Sequence, residues 1–312
     1  MSQNNNILIL GKGYIGNYLY NHLQSKDFNV QIKSRQELDY HDMSVLLKYL
    51  LNADIVTVIN CSGFTGKPNV DQAELEKEEC WNLNTIVPYK INQLCDEYKV
   101  DYIHVSTGCL YDGYDKKWSE EDAPNFGLFQ NHSSFYSKSK HAYENLAKDL
   151  NGVVLRIRMP FGRDNSYRNY LTKIKKYENL LNLVNSKTYI PDLCNFVEKI
   201  LKDSRKNGFY LSGRYTYNVT NPEPLKTEEI CEILKSYGMH NSAWKLGDRS
   251  QLKAYANRSN CVLDTEKLQE IFPIRTEKQA IIECCEQIIA EQKERSKKRQ
   301  EMAEDELYKI YD

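Results

Sequence analysis

A glycine-rich turn near the amino terminus constrains the fold of this chain more than any other feature. The apolar run Ile7–Leu10 is typical of a buried parallel strand. It leads directly into Gly11–Gly16, which has the GxGxxG pattern, and then into leucines at helical spacing. A pyrophosphate binds such a turn on the helix N-terminus. We therefore predict an α/β fold with a doubly wound parallel sheet; the alternative is an ordinary glycine-rich connection.

The positions of the other predicted strands divide the chain into a dinucleotide-binding domain, a smaller lobe and a carboxyl-terminal helix. Further strands are predicted at Asn29–Lys33, Ile55–Asn60, Tyr102–Ser106 and Val153–Arg158. Helical segments separate them, as a parallel sheet requires. We predict a dinucleotide-binding domain in residues 1–158. A smaller substrate-binding lobe is predicted in 159–275, with elements that return to the sheet, and a helix with a charged tail in 276–312. The cleft between the lobes is the expected active site.

Composition limits the class of partner. The chain has 312 residues and a net charge of −1, so nucleic acid is not an expected partner. No apolar run approaches the roughly 20 residues of a membrane span. The polar residues Met1–Asn6 are not typical of a signal peptide, and the nine cysteines lack CxxC spacing. We expect a cytoplasmic protein without a metal site.

The ends of the first three strands predict a nicotinamide cofactor site. An acidic residue usually follows the second strand in NAD enzymes and binds the ribose 2′-hydroxyl. Here Ser34 and Arg35 follow it, which favours a 2′-phosphate and hence NADPH, with NADH as the alternative. Asp39 is expected beside the adenine. The predicted cofactor-binding residues are Gly11, Gly13, Tyr14, Ile15, Gly16, Ser34, Arg35, Asp39, Cys61, Ser62, Gly63, Tyr136 and Lys140.

Tyr136 and Lys140 are the candidate catalytic pair. They are four positions apart, so a helix places them on one face. We expect the ammonium to lower the pKa of the phenol and make Tyr136 a proton donor. Thr107 and Cys109 add a hydroxyl and a thiol after a strand. Beside a nicotinamide, these groups suit reduction; the alternative is a surface pair in a highly charged chain.

Several motifs recur in one order along the chain. They are Gly63–Asp71, Thr107–Cys109, Asp122–Phe126, Phe135–Lys138, Leu155–Pro160, Leu171–Ile174, Asn185–Ser186, Asn218–Pro222 and Arg258–Asn260. With them, the chain resembles the extended short-chain dehydrogenase/reductase superfamily. Within it, the chain resembles the nucleotide-rhamnose synthase family, bifunctional 3,5-epimerase/4-reductases acting on UDP-4-keto-6-deoxyglucose. The resemblance extends to about residue 275.

The resemblance implies a reaction and a set of site residues. The implied enzyme converts a nucleotide-4-keto-6-deoxyglucose, with UDP as the expected nucleotide, to nucleotide-L-rhamnose. Cys109 and Lys173 match the residues that the family uses for epimerisation. Thr107 and Tyr136 would hold the enolate oxygen, and Lys140 the nicotinamide ribose. The implied substrate-binding residues are Thr65, Asn69, Arg168, Asn185, Thr188, Arg258 and Asn260. A homodimer is common in the superfamily.

Two other functions remain open from the sequence. One is a reductase alone, similar to dTDP-4-keto-rhamnose reductase, which carries an acidic residue where this chain has Gly108-Cys109. The other is a non-catalytic, cofactor-binding regulatory subunit. Lys173 lies in a lysine-rich segment and could also be a solvated charge.

Overall fold

A six-stranded parallel sheet forms the centre of the molecule. The structure, a computed structural model, describes residues 6–67, 69–206, 211–239, 241–248 and 256–311, so part of the amino-terminal segment used above lies outside it. The strands are β1 (Asn6–Leu10), β2 (Val30–Lys33), β3 (Ile55–Asn60), β4 (Asp101–Thr107), β5 (Gly113–Trp118), β6 (Gly152–Ile157), β7 (Asn179–Leu181), β8 (Arg214–Asn218), β9 (Lys245–Gly247) and β10 (Cys261–Leu263).

Helices separate the strands of the sheet. They are α1 (Tyr14–Gln24), α2 (Met43–Asn52), α3 (Gln72–Leu75), α4 (Lys77–Trp81), α5 (Val87–Glu97), α6 (Phe135–Leu146), α7 (Tyr170–Lys176), α8 (Ile190–Lys206), α9 (Thr227–Ser236), α10 (Glu266–Ile271) and α11 (Glu277–Tyr311). A π-helical turn, Asn82–Ile86, joins α4 to α5.

The sheet has the order β2-β1-β3-β4-β6-β8, and every neighbouring pair is parallel. The chain leaves β1 in one direction to form β2 and crosses back to form β3. The carboxyl ends of β1 and β3 therefore flank the switch point, where ligands of such sheets bind. The predicted doubly wound α/β fold is confirmed.

Both faces of the sheet are covered, which explains the continuous apolar strands. Ile7 and Ile9 pack with α1 and α8 on one face. Leu8 and Leu10 pack with α2 and α5 on the other. Alternate residues of β1 point to opposite faces, so the side chains from Ile7 to Leu10 are all buried and all apolar.

A second lobe stands at the carboxyl edge of the sheet. Its core lies between α7, α9 and α11, with Phe161, Ile174 and Ile281 among its buried side chains. The same part of the chain returns β8 to the main sheet. Two small two-stranded parallel sheets, β10-β5 and β7-β9, lie outside the main sheet.

The described residues contain no helix long and apolar enough to cross a membrane. Within those ranges, no three His, Cys, Asp or Glu side chains are grouped where they could hold a metal ion. All nine cysteines are present as free thiols.

Candidate active site

The glycine turn is shaped to receive a phosphate group. A Cβ at Gly16 would lie 2.1 Å from the Gly11 carbonyl oxygen, so this position needs glycine for α1 to pack on the turn. A Cβ at Gly13 would meet nothing within 4 Å. Gly13 therefore borders open space at the N-terminus of α1, beside Tyr14 and Ile15, where the backbone can approach a pyrophosphate. The residues of the turn fit a dinucleotide cofactor.

The end of β2 carries an acidic residue that the sequence reasoning missed. Glu37 accepts hydrogen bonds from the Ser34 backbone N–H at 2.8 Å and from the Ser34 hydroxyl at 2.9 Å. It also pairs with Lys12 of the glycine turn. The Lys12 ammonium and then the Ser34 donors lower the pKa of Glu37 to about 2. The sequence pattern placed no acidic residue directly after β2. The structure corrects this expectation, because the turn after β2 brings Glu37 back to Ser34, three positions earlier.

The loop after β3 lies over Lys140. The Asn60 side chain accepts hydrogen bonds from the Ser62 backbone N–H at 2.9 Å and from its hydroxyl at 2.6 Å. A Cβ at Gly63 would lie 3.2 Å from Lys140 Nζ. Asn84, placed by the π-helical turn, bonds both backbone groups of Phe64 at 2.8 and 2.9 Å. Asn84 thus holds this loop, a role that helical periodicity could not reveal.

Tyr136, Thr107 and Cys109 meet at the junction of β4 and α6. The Thr107 hydroxyl lies beside the Tyr136 phenol and accepts the Cys109 backbone N–H at 3.1 Å. The Ser137 hydroxyl donates to the Cys109 carbonyl oxygen at 2.6 Å. These bonds fix the start of α6 to the turn after β4, because Ser134 caps the helix and directs its first residues there.

The electrostatics of the catalytic pair differ from the sequence prediction. Burial raises the pKa of Tyr136, and the nearby Cys109 thiol raises it further. Burial also lowers the pKa of Lys140 to about 8. The expected lowering of the Tyr136 pKa is wrong in direction: the pKa is raised, because loss of hydration outweighs the lowering by Thr107 and Arg168. The phenol is therefore held protonated at neutral pH.

Arg168 of the second lobe lies near this cluster, and Lys173 lies near Arg168. Arg168 bonds the Thr65 hydroxyl and the Gly66 carbonyl oxygen, the latter at 3.1 Å. The positive charge of Arg168 favours the deprotonated forms of Tyr136 and Lys173. Burial, then the charges of Arg168 and Arg258, lowers the pKa of Lys173. Lys173 is therefore easier to deprotonate than a solvated lysine.

Arg258 is held at the same cleft by the loop after β3. Its guanidinium pairs with Asp71 at 2.8 Å. Asn69 accepts the Asp71 backbone N–H at 2.8 Å, which fixes this part of the loop. Thr65, Asn69, Arg168 and Arg258 therefore line one connected region between the lobes.

Three other predicted substrate-binding residues lie deeper, around Arg158. Asn185 accepts from the Arg158 guanidinium at 2.9 Å and donates to the Asn260 side chain at 3.1 Å. Thr188 accepts the Arg158 backbone N–H at 3.0 Å. All are buried. Their contact with substrate stays a prediction.

Arg158 itself supports the turn that carries Cys109. A Cβ at Gly108 would lie 2.9 Å from Arg158 Cγ, so the arginine stem packs directly against this glycine. The sequence reasoning did not select Arg158, because an arginine at a strand end gives no signal of burial.

The chain is similar to several proteins. Residues 5–289 match the family model described as the RmlD substrate binding domain. A bifunctional dTDP-4-dehydrorhamnose 3,5-epimerase/dTDP-4-dehydrorhamnose reductase of Arabidopsis thaliana is 32% identical, over 86% of this chain and 88% of that protein. A trifunctional UDP-glucose 4,6-dehydratase/UDP-4-keto-6-deoxy-D-glucose 3,5-epimerase/UDP-4-keto-L-rhamnose-reductase of the same plant is also 32% identical, over 85% of this chain. The chain spans only 39% of that longer relative.

Solved structures agree with these matches. The L780 UDP-rhamnose synthase of Acanthamoeba polyphaga mimivirus superposes with a TM-score of 0.78 at 26% identity, over 90% of this chain and 98% of that one. A dTDP-4-dehydrorhamnose reductase of Bacillus anthracis in complex with NADP has the same fold, with a TM-score of 0.75 at 20% identity, over 90% and 99%. Fold, site and sequence match lead to one conclusion: the chain belongs to the RmlD substrate binding domain family.

Proposed function

We propose that this protein is an NADPH-dependent 3,5-epimerase/4-reductase that converts a nucleotide-4-keto-6-deoxyglucose, with UDP as the nucleotide, to nucleotide-L-rhamnose. One observation carries the proposal: the Thr107 hydroxyl, which accepts the Cys109 backbone N–H, lies beside the Tyr136 phenol with Cys109 and Arg168 close by. Lys173 lies near Arg168. The relatives whose names combine epimerase and reductase add support.

Epimerisation needs an acid and a base at carbons beside the ketone. The C4 carbonyl acidifies the protons at C3 and C5, and one group removes a proton while another returns it. Cys109 and Lys173 take these roles. Burial and two neighbouring arginines lower the pKa of Lys173, which increases its neutral fraction and makes it a better base. The Thr107 and Tyr136 hydroxyls stabilise the enolate oxygen.

Reduction follows at C4. The nicotinamide supplies the hydride, and Tyr136 donates a proton to O4. The raised pKa of Tyr136 keeps the phenol in its donor form. Lys140, below Gly63, is placed to bind the nicotinamide ribose. Burial lowers the pKa of Lys140 to about 8, so it remains mostly charged at neutral pH.

The cofactor preference rests on the end of β2. Exposed Arg35 offers a positive charge to a 2′-phosphate, which favours NADPH. Glu37 offers an acceptor for a 2′-hydroxyl, so NADH is the second cofactor of this site. The relative solved with NADP supports the first choice.

The Cys109→Ala variant tests the reaction. The purified protein is incubated in D₂O with UDP-4-keto-6-deoxyglucose and NADPH, and the product is analysed by NMR. We expect wild type to yield UDP-L-rhamnose deuterated at C3 and C5. We expect the variant to lose at least about 100-fold in deuterium incorporation, since a positioned acid or base supplies that much. Cys231→Ala, on α9 away from the cluster, is the control.

The outcomes separate the alternatives. Wild-type exchange in the Cys109→Ala variant would remove Cys109 from the mechanism. NADPH oxidation by wild type without any exchange would identify a reductase alone. No turnover of UDP- or dTDP-linked 4-keto sugars would contradict the proposal and favour a regulatory subunit.

A further inference from the structure

A cavity of about 930 Å³ extends from the glycine turn along α1. One wall is the outer face of α1, where Tyr14 and Tyr18 lie one turn apart. The opposite wall is the face of α11 that carries Glu291 and Arg295. Gly13, whose missing side chain leaves open space, lies at the edge of this cavity.

Most of the α11 wall lies beyond the family match, with Ile288 as its last matched residue. The match to the family model ends at residue 289, whereas α11 continues to Tyr311. Glu291 and Arg295 both lie beyond that point. The ion pair between Glu291 and Arg163, at 3.2 Å, holds this part of α11 against the second lobe.

The cavity carries an excess of positive charge. Its lining contains five basic side chains and two acidic ones. The acidic Asp164 already accepts the Tyr14 and Tyr18 hydroxyls, at 3.0 and 2.5 Å. Glu291 pairs with Arg163, and Lys12 pairs with Glu37 outside the lining, so the excess rests on Lys67, Arg168 and Arg295. The remaining field favours an anion, and a helix N-terminus at Gly13 adds to it.

We propose that α11 extends the cofactor site, with Arg295 as a cationic contact for the pyrophosphate of the bound dinucleotide. The proposal rests on the dinucleotide use proposed above. Arg295 is 78% exposed and lies 3.9 Å from Glu291, the outer limit of an ion pair, so its guanidinium can turn to a phosphate at little cost. An arginine fork suits two phosphate oxygens.

Equilibrium binding to the full-length protein tests the proposal. Kd is measured for NADPH and for NADH by titration of nucleotide fluorescence. We expect Arg295→Ala to weaken both by about three- to tenfold, because one exposed charge-assisted contact is lost and both nucleotides contain the pyrophosphate. Arg295→Lys should recover part of the affinity. Lys298→Ala removes the same charge from the same helix, outside the cavity lining, and should change neither Kd.

Each other outcome overturns the proposal. An unchanged Kd in Arg295→Ala, or an equal loss in Lys298→Ala, would mean that Arg295 makes no specific contact. A loss restricted to NADPH would assign Arg295 to the 2′-phosphate instead. If wild type bound neither nucleotide, the cofactor site itself would fail. If binding behaved as expected but no keto sugar were turned over, only the proposed reaction would fail.

Discussion

Lys140 shows how burial sets the chemistry of a single residue. Its ordinary pKa is 10.5, and burial lowers it to about 8 in the folded protein. Below pH 8 both the folded and unfolded states are protonated, and the folded state bears the full cost of the buried charge. Between pH 8 and 10.5 the unfolded chain binds more protons, so the cost falls as pH rises.

We therefore expect Lys140→Met to raise the free energy of unfolding at about pH 7 by up to about 3 kcal/mol. The advantage should shrink between about pH 8 and 10.5. Urea unfolding at two pH values measures both effects. Lys138→Met, on the same helix but partly exposed, should show no such dependence. A pH-independent difference for Lys140→Met would contradict the assignment.

Residue identity alone could not supply these details. The spacing of Tyr136 and Lys140 indicated a shared helix face, and α6 provides it. The pKa directions depend on how much water the fold removes, which no spacing encodes. Glu37 and Arg158 escaped attention for a related reason, since their partners are set by a turn and by a buried network.

The glycine turn is the element whose sequence pattern carried the most information. A Cβ at either outer glycine would meet backbone atoms at 2.1–2.9 Å, whereas a Cβ at Gly13 would meet nothing within 4 Å. We expect Gly16→Ala to lower the free energy of unfolding by about 2–3 kcal/mol, because its Cβ would overlap the Gly11 carbonyl. Gly13→Ala should leave stability within about 0.5 kcal/mol and weaken NADPH binding more than about tenfold.

Urea unfolding and NADPH titration of both variants measure these effects. The matched pair separates packing from binding, since each substitution adds one methyl group to the same turn. Equal losses of stability in the two variants would contradict the distinction.

A buried ion pair anchors the start of α11. Lys187 and Glu277 are 1% and 0% exposed and lie 2.8 Å apart. Burial lowers the pKa of Lys187 and raises that of Glu277, so burial disfavours the charged form of both. The opposite charge of the partner favours the charged form of each side chain. We expect Lys187→Met to cost about 3–5 kcal/mol, since it leaves the carboxylate unpaired.

The double variant Lys187→Met/Glu277→Met should recover most of that loss, because apolar side chains of similar volume fill the same space. A double-mutant cycle by urea denaturation tests this. Additive losses in the double variant would show that the two groups are not coupled.

Asp164 joins the two lobes of the whole molecule. It extends from the second lobe and accepts hydrogen bonds from Tyr14 and Tyr18 on α1. These bonds fix the lobe against the helix that begins at the glycine turn. We expect Asp164→Ala to lower the free energy of unfolding by about 2–3 kcal/mol, because the two tyrosine hydroxyls and the Ser166 backbone N–H lose a charged acceptor. Asp164→Asn, which keeps an acceptor, should cost less.

Chemical denaturation of the two variants measures the difference. If alanine and asparagine cost the same, the tyrosine hydroxyls contribute nothing through Asp164. Full stability in Asp164→Ala would contradict the role of this residue in joining the lobes.

The sequence by itself determined the sheet and the glycine turn. Buried strands and a glycine-rich turn are local patterns, written in consecutive residues, and the observed strands fall where they were expected. The resemblance to the nucleotide-rhamnose synthase family likewise selected Thr107, Cys109 and Tyr136 as candidate site residues.

Only the tertiary structure decided which distant side chains meet. It paired Arg258 with Asp71, joined Arg168 to Thr65 and Gly66, and surrounded Arg158 with Asn185 and Thr188. It also placed α11 beside the glycine turn. Such contacts depend on the packing of whole elements and on the water that packing removes, so they cannot be read from neighbouring residues.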